Sequence, residues 1–167
     1  AALIAEELDV DLAQVRVIHG PAAAAYYNTA MMGALIPGKK YEMSGFTHGL
    51  AEQLGKVGKL IGMQVTGGST SMVDGFTRMR EAGASARETL KEAAAQRLGV
   101  ERSRLTTEGG KVIAPGNIEL TYEELAPDAA KIDVVTGVAL RDPSAWTILG
   151  KSVPRVDMVA KSTGTAG

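Results

Sequence analysis

The sequence of 167 residues contains no cysteine. This absence excludes disulfides, thiolate metal sites and iron–sulfur ligation by this chain, and it leaves the compartment, cytoplasmic or periplasmic, open. Aromatic residues make up only 4% of the chain, whereas glycine occurs 20 times. This composition favours a loop-containing α/β segment over a β-sandwich with an aromatic core.

The chain also lacks an excess of either charge, since its net charge is −1 at pH 7. No basic surface for nucleic acid is expected. Residues 1–8 are too short and too acidic a stretch for a signal peptide or a membrane span, and no membrane span is expected in this chain. What the chain does have is 45% hydrophobic residues, enough for one domain with a real core.

The first 62 residues predict a mixture of helix and irregular structure. Residues 1–8 continue a helical pattern that no capping residue precedes, which predicts a piece of a longer polypeptide. Residues 15–19 predict a short strand, and residues 22–40 predict an irregular loop without a clean period. Residues 44–61 predict a helix, although five glycines in that stretch leave a loop as the alternative.

A long helix is predicted over residues 72–98. At 1.5 Å per residue it would be roughly 40 Å long. Arg80, Glu81, Glu88 and Lys91 lie off its apolar stripe. The stripe itself falls at spacings of three and four residues and consists of Phe76, Met79, Gly83, Ala86, Leu90, Ala93 and Ala94.

After Gly99 the pattern changes to short strands separated by turn residues. Stretches 104–107, 111–114 and 118–120 predict a small antiparallel meander. Thr121 and Glu124 form a capping box that predicts a helix through about Lys131. Further on we predict a strand or extended arm at 134–140, a short helical turn at 142–144 and a linker at 153–157.

The stretch just before the long helix has the composition of an anion site. It consists of Thr66, Gly67, Gly68, Ser69, Thr70 and Ser71. Glycines permit backbone angles closed to other residues, and a serine or threonine can cap the helix. The free N–H groups and the positive dipole end would then face an anion such as a phosphate. The alternative is a helix cap without a ligand.

Other motifs lack the context that their chemistry needs. Residues 145–152 fit the loosest phosphate-loop pattern, but Pro154 disfavours the helix that must follow. His19 and His48 have no second ligand at metal spacing, so no metal site is predicted. No nucleophile elbow or acid–base pair stands out, and Asp9 and Asp11 are expected to be solvated turn residues.

Several stretches, in order along nearly the whole chain, resemble the large molybdopterin-binding subunit of the xanthine dehydrogenase and aldehyde oxidase family. The branch they resemble most is typified by the isoquinoline 1-oxidoreductase beta subunit. The stretches are AEELDVD at 5–11, VRV at 15–17, QVTGGSTS at 64–71, MREAGASAR at 79–87, AAA at 93–95, YEELA at 122–126, LRDP at 140–143, LGK at 149–151, RVD at 155–157, Lys161 and TGTA at 163–166.

The resemblance implies a molybdenum hydroxylase that oxidises aldehydes or N-heteroaromatics with water-derived oxygen. It implies a molybdenum pyranopterin (molybdopterin) cofactor in the parent protein and a partner, a small iron–sulfur subunit with two [2Fe-2S] clusters. The loop of Thr66 to Ser71 would lie against the cofactor. The groups expected to contact it are the N–H groups of Gly68 to Ser71 and the hydroxyls of Ser69 and Ser71.

The family's Gly-Gln-Gly segment and its catalytic glutamate have no counterpart here. The resemblance therefore implies a fragment without catalytic residues that would not retain the cofactor alone. The predicted fold is α/β (α+β), part of a molybdopterin-binding domain. Residues 1–98 would form that partial domain, 99–150 a small α+β connecting segment and 151–167 the truncated start of a following domain. The alternative is a non-catalytic structural or assembly domain.

Overall fold

The structure, a computed structural model, describes residues 1–18, 20–21, 23–33, 36, 44–153 and 158–165. The chain divides into two compact units. We call Ala1–Val15 with Gly83–Gly167 the core unit, and Arg16–Ala82 the inserted unit, because its sequence interrupts that of the other. The predicted functional boundaries at residues 98 and 150 stay predictions.

Six helices and three strands are found in the described part of the chain. The helices are α1 (Ala2–Leu8), α2 (Thr29–Gly33), α3 (Gly45–Leu60), α4 (Thr70–Leu98), α5 (Tyr122–Ala129) and α6 (Met158–Ser162). The strands are β1 (Thr106–Glu108), β2 (Lys111–Ala114) and β3 (Ile118–Thr121). This mixture of helix and sheet confirms the predicted α/β (α+β) class.

The core unit is built on the second half of α4. The three strands form an antiparallel sheet in the order β1-β2-β3, with Val112 opposite both Thr107 and Leu120. The predicted meander is therefore confirmed. Alanines of α4 form the hydrophobic core together with side chains of the sheet and of α5: Ala93, Ala94, Ala95, Leu105, Val112, Ala114 and Leu125.

The capping box at the start of α5 is confirmed in both directions. The Thr121 hydroxyl accepts from the Glu124 N–H at 3.2 Å, and the Glu124 carboxylate accepts from the Thr121 N–H at 2.8 Å. The helix ends at Ala129, two residues before the predicted end at Lys131.

The strand predicted at 15–19 is wrong where it is described, because no neighbouring strand pairs with residues 15–18. Residues 15–18 and 134–140 belong to no helix or strand. Ile18 is 76% exposed, so its β-branched side chain neither packs on a sheet nor belongs to a hydrophobic core. The structure favours the extended-arm alternative for 134–140, and His19 lies outside the described residues.

The inserted unit contains more helix than the sequence indicated. Within the stretch 22–40, predicted to be irregular, the structure places a 3₁₀ turn at Ala24–Tyr26 and the helix α2. The helix prediction for 44–61 is confirmed by α3, whose start is capped by Ser44. A Cβ at Gly55 would lie 3.1 Å from the Thr29 carbonyl oxygen, so this glycine lets α2 pack closely against α3.

The long helix is confirmed, and α4 begins two residues earlier than predicted, at Thr70. In the core unit its apolar stripe is buried at Gly83, Ala93 and Ala94 and half-buried at Ala86 and Leu90. A Cβ at Gly83 would lie 2.6 Å from the Ile4 carbonyl oxygen of α1. In the inserted unit Phe76 and Met79 are more than a third exposed. Arg80, which lies off this stripe, is buried.

Candidate functional site

The loop before α4 has two consecutive residues with left-handed backbone angles. The φ angles are +52° at Gly68 and +62° at Ser69. Glycine adopts this conformation without strain, whereas serine does so uncommonly. A Cβ at Gly68 would meet nothing within 4 Å, so the space above this peptide is open.

Thr70, the first residue of α4, has a structural role in the loop. Its buried hydroxyl accepts from the Gly67 N–H at 3.3 Å and from the Asn28 side-chain amide at 3.1 Å. The same Asn28 amide donates to the Val65 carbonyl at 2.7 Å. These bonds hold the loop against the segment that starts α2.

The remaining predicted residues, Thr66 to Ser69 and Ser71, are exposed. The Ser71 hydroxyl donates to the Thr66 hydroxyl at 2.6 Å, and the Thr70 N–H donates to the Gly67 carbonyl at 3.0 Å. The N–H groups of Gly68 and Ser69 make no hydrogen bond to another described residue. Of the expected contact groups, these two amides and the Ser69 hydroxyl are therefore the most accessible.

Asn28 is the residue of this site that the sequence did not reveal. It is 5% exposed, and its side-chain oxygen accepts from the N–H groups of Ala30 and Met31 at 3.0 and 3.3 Å. An asparagine at this position caps a helix. The Asn28–Thr29 pair is a sequence signal for a helix start. However, α2 is too short to show the helical periodicity by which that signal could be recognised.

A charged cluster lies beside the loop within the inserted unit. Asp74 accepts from the Thr29 N–H at 2.9 Å and pairs with Arg78, whose guanidinium lies 4.2 Å from the centroid of the Tyr27 ring. Burial raises the pKa of Asp74, but the hydrogen bonds from Thr29 and the charge of Arg78 outweigh it, and the net shift is downward. A cleft of about 530 Å³ opens next to Thr29, Asp74 and Arg78.

A second carboxylate cluster lies in the core unit, on α1. Glu6 is 1% exposed, and its two oxygens accept from the N–H groups of Thr147, Ile148 and Leu149 at 2.9, 2.6 and 2.8 Å. Glu7 accepts from the Arg141 N–H at 3.0 Å. The two glutamates thus fasten the segment 141–149 to α1.

The guanidinium of Arg87, a residue of α4, completes this arrangement. It donates to the Glu7 carbonyl at 2.6 Å and lies 3.6 Å from the Glu7 carboxylate. Burial raises the pKa of Glu6, but the hydrogen bonds from Thr147, Leu149 and Ile148 outweigh it and hold the pKa below its ordinary value.

The expectation that Asp9 is a solvated turn residue is wrong. Its carboxylate lies 2.7 Å from the Arg141 guanidinium and accepts from the Thr107 hydroxyl at 2.8 Å. Asp9 also ends α1 with a φ of +64°. Asp11 is exposed, as expected of a turn residue, and accepts from the Ala13 N–H at 2.9 Å.

Among the described residues no group of three or more His, Asp or Glu side chains could hold a metal ion. His19 and the side chain of His48 lie outside the described residues. The residues after Lys151 do not enter a helix as far as Val153, so the phosphate-loop pattern lacks its structural context there. No described helix is both long enough and apolar enough to cross a membrane.

One curated protein has a sequence similar to part of this chain. This chain is 34% identical over 87 residues to one of the subunits of nicotinate dehydrogenase from Pseudomonas putida. The chain is therefore similar to part of a dehydrogenase. The matched stretch covers 52% of this chain and 7% of the length of that relative, and no family model matches the chain.

Proposed function

We propose that this chain is a segment of the large subunit of a molybdenum hydroxylase. The observation that carries the proposal is the 34% identity to a dehydrogenase subunit. The ordered stretches that resemble the isoquinoline 1-oxidoreductase beta subunit-like branch favour the same class. The parent would oxidise an aldehyde or an N-heteroaromatic compound, and the relative's name favours the heteroaromatic substrate. Its partner would be the small subunit with two [2Fe-2S] clusters.

The role proposed for this chain is to contact the molybdenum pyranopterin through the loop before α4. The loop fits an anionic group, because Gly68 and Ser69 are exposed, their amides are accessible and nothing stands above Gly68. Bound there, the group would supply hydroxylation with water-derived oxygen. This chain would supply amide and hydroxyl donors, and the absence of a side chain at Gly68 would leave room for the group.

Thr70 and Ser71 hold the loop rather than contact the group in this proposal. The Thr70 hydroxyl already has two donors, and the Ser71 hydroxyl donates to Thr66. The contact groups of the proposal are therefore the backbone of Gly68 and the backbone and hydroxyl of Ser69.

The test is the molybdenum and pterin content of the intact natural protein. We expect both in the purified wild type and a clear loss in a Ser69→Ala variant whose unfolding midpoint is unchanged. The matched control is Ser103→Ala, because Ser103 is an exposed serine of the core unit. A folded wild type without molybdenum or pterin would refute the proposal.

The second candidate is a structural or assembly domain in which the loop only caps α4. The bonds of Thr70 to Gly67 and Asn28 favour it. In that case the Ser69→Ala variant would keep the cofactor of the intact protein, and a Thr70→Ala variant would lose stability and also keep it. The same two measurements therefore separate the candidates.

A further inference from the structure

One side of α3 carries large apolar side chains in solvent. Phe46 and Leu60 are 82% and 86% exposed. The members from Phe46 to Leu60 are separated by three, four or seven residues, so they fall on a single seam of the helix, and Ile61 follows directly at its C-cap. We call the set the α3 stripe; it consists of Phe46, Leu50, Val57, Leu60 and Ile61, all exposed.

The opposite side of α3 already has its packing partner within the inserted unit. There Gly55 lies against Thr29 of α2, and Ala51 lies against Gly33, where a Cβ would be 3.4 Å from the Ala51 carbonyl oxygen. The stripe is therefore not the face that holds the unit together. Exposed apolar patches of this kind mark interaction surfaces.

Gly49 adds a geometric constraint at the edge of the stripe. It lies inside the helix, where glycine costs about 1 kcal/mol relative to alanine. A Cβ there would meet nothing within 4 Å, so no described contact of the chain requires a glycine. A missing side chain beside apolar neighbours lets a second backbone approach closely.

We propose that the α3 stripe is covered by an apolar helix from another part of the longer polypeptide to which this chain belongs. This inference rests on the proposed function. The matched stretch accounts for 7% of the length of the relative, so most of such a protein lies outside this chain. The heptad-like spacing of the stripe and the missing side chain at Gly49 are the features against which a second helix packs. Because no charged residue belongs to the stripe, the packing face of that helix should be apolar.

The absence of cysteine makes this contact measurable with a single thiol. Gln53 is an exposed polar residue within the stripe, and Lys59 is exposed on the side of α3 that carries Glu52 and Lys56. The variants Gln53→Cys and Lys59→Cys therefore form a matched pair at exposed positions, of which Lys59→Cys removes a cation–π contact at 5.8 Å from the centroid of the Tyr27 ring. Their alkylation rates are read peptide by peptide, in this chain and in the natural longer gene product.

In this chain alone we expect the two thiols to react at similar rates. In the longer product Gln53→Cys should react at least about tenfold more slowly than Lys59→Cys, because a covered thiol reacts only through local opening. Equal rates in the longer product would overturn the proposal. Protection of Gln53→Cys that rises with the concentration of the isolated chain would overturn it too, because the occupant would be a second copy.

Molybdenum and pterin are measured on the same preparations. A protected Gln53→Cys in a protein without molybdenum would refute the proposed function and leave the covered stripe standing. Molybdenum together with equal thiol rates would refute the covered stripe alone.

Discussion

Asn28 shows how one buried amide can fix a loop about 40 residues away in sequence. Its amide donates to Val65 and Thr70, while its oxygen caps α2. The sequence predicted the composition of the loop before α4 but not this anchor. The reason is physical, because a hydrogen bond between residues 28 and 70 leaves no periodic pattern in the chain.

The substitution Asn28→Asp keeps the acceptor for α2 and removes both donor bonds. We expect a loss of about 1–3 kcal/mol in the free energy of unfolding, because two buried acceptors lose their donor and face a carboxylate. Amide exchange of residues 65–71 should rise, measured by hydrogen–deuterium exchange. Asn117→Asp is the control, since Asn117 is exposed in a left-handed turn that both residue types tolerate. Unchanged exchange in Asn28→Asp would contradict the anchor.

Glu6 is a buried carboxylate that the sequence placed on α1 without a role. Its lowered pKa means that its contribution to stability is fully present above the ordinary carboxyl value of 4.5 and is lost as the pH falls through the folded-state value. Glu6→Gln should cost about 1–3 kcal/mol at pH 7, because a side-chain N–H then faces backbone donors.

The same variant should lose less further stability than wild type between about pH 5 and about pH 3. Urea unfolding at both pH values measures this difference. Glu81→Gln, at an exposed position of α4, should keep the wild-type pH dependence. A wild-type slope in Glu6→Gln would show that the carboxylate does not carry the effect.

At the scale of elements, α4 was the most predictable part of the chain, because 29 residues give a long and regular pattern. The meander and the capping box could also be predicted from the sequence, since turn residues mark the meander and short-range hydrogen bonds form the capping box. The strand predicted at 15–19 is wrong where it is described, and residues 134–140 follow the extended-arm alternative, because a strand needs a pairing partner that local composition cannot supply.

Two glycines of α4 should respond to alanine in opposite directions. Gly83→Ala would place a methyl group 2.6 Å from the Ile4 carbonyl oxygen, so α1 must shift and stability should fall by about 1–3 kcal/mol. At Gly75 the nearest atom would be 3.9 Å away, on the side chain of Met79, so Gly75→Ala should stabilise by about 0.5–1 kcal/mol. Thermal unfolding of this chain tests both, and equal effects would contradict the close α1–α4 contact.

At the scale of the whole molecule, composition predicted an α/β (α+β) protein with a real core, and the structure has both. Composition could not predict that the α3 stripe would be exposed, since amphipathicity shows which residues share a face and not whether anything covers it. With a net charge of −1 and a pI near 6.2, charge repulsion between copies is weak.

The chain should therefore be least soluble near pH 6, where the remaining net charge vanishes and the α3 stripe is still exposed. Light scattering between about pH 5 and about pH 8 measures this minimum. A Phe46→Lys, Leu60→Lys variant should raise solubility at pH 7, whereas Gln64→Lys, Gln96→Lys adds the same charge at exposed polar positions and should do less. Equal gains from both pairs would assign the effect to charge alone.

The fastening of segment 141–149 to α1 has a consequence for synthesis on the ribosome. Glu6 meets its partners 141 to 143 residues later, and Arg87 reaches the Glu7 carbonyl across 80 residues. At translation rates of about 5–20 residues per second, the carboxylates of Glu6 and Glu7 are on the nascent chain for roughly 10–30 s before their native hydrogen-bond partners are synthesised. The nascent chain can meanwhile fold residues 16–82, whose sequence emerges whole, so the unit that begins first is completed last.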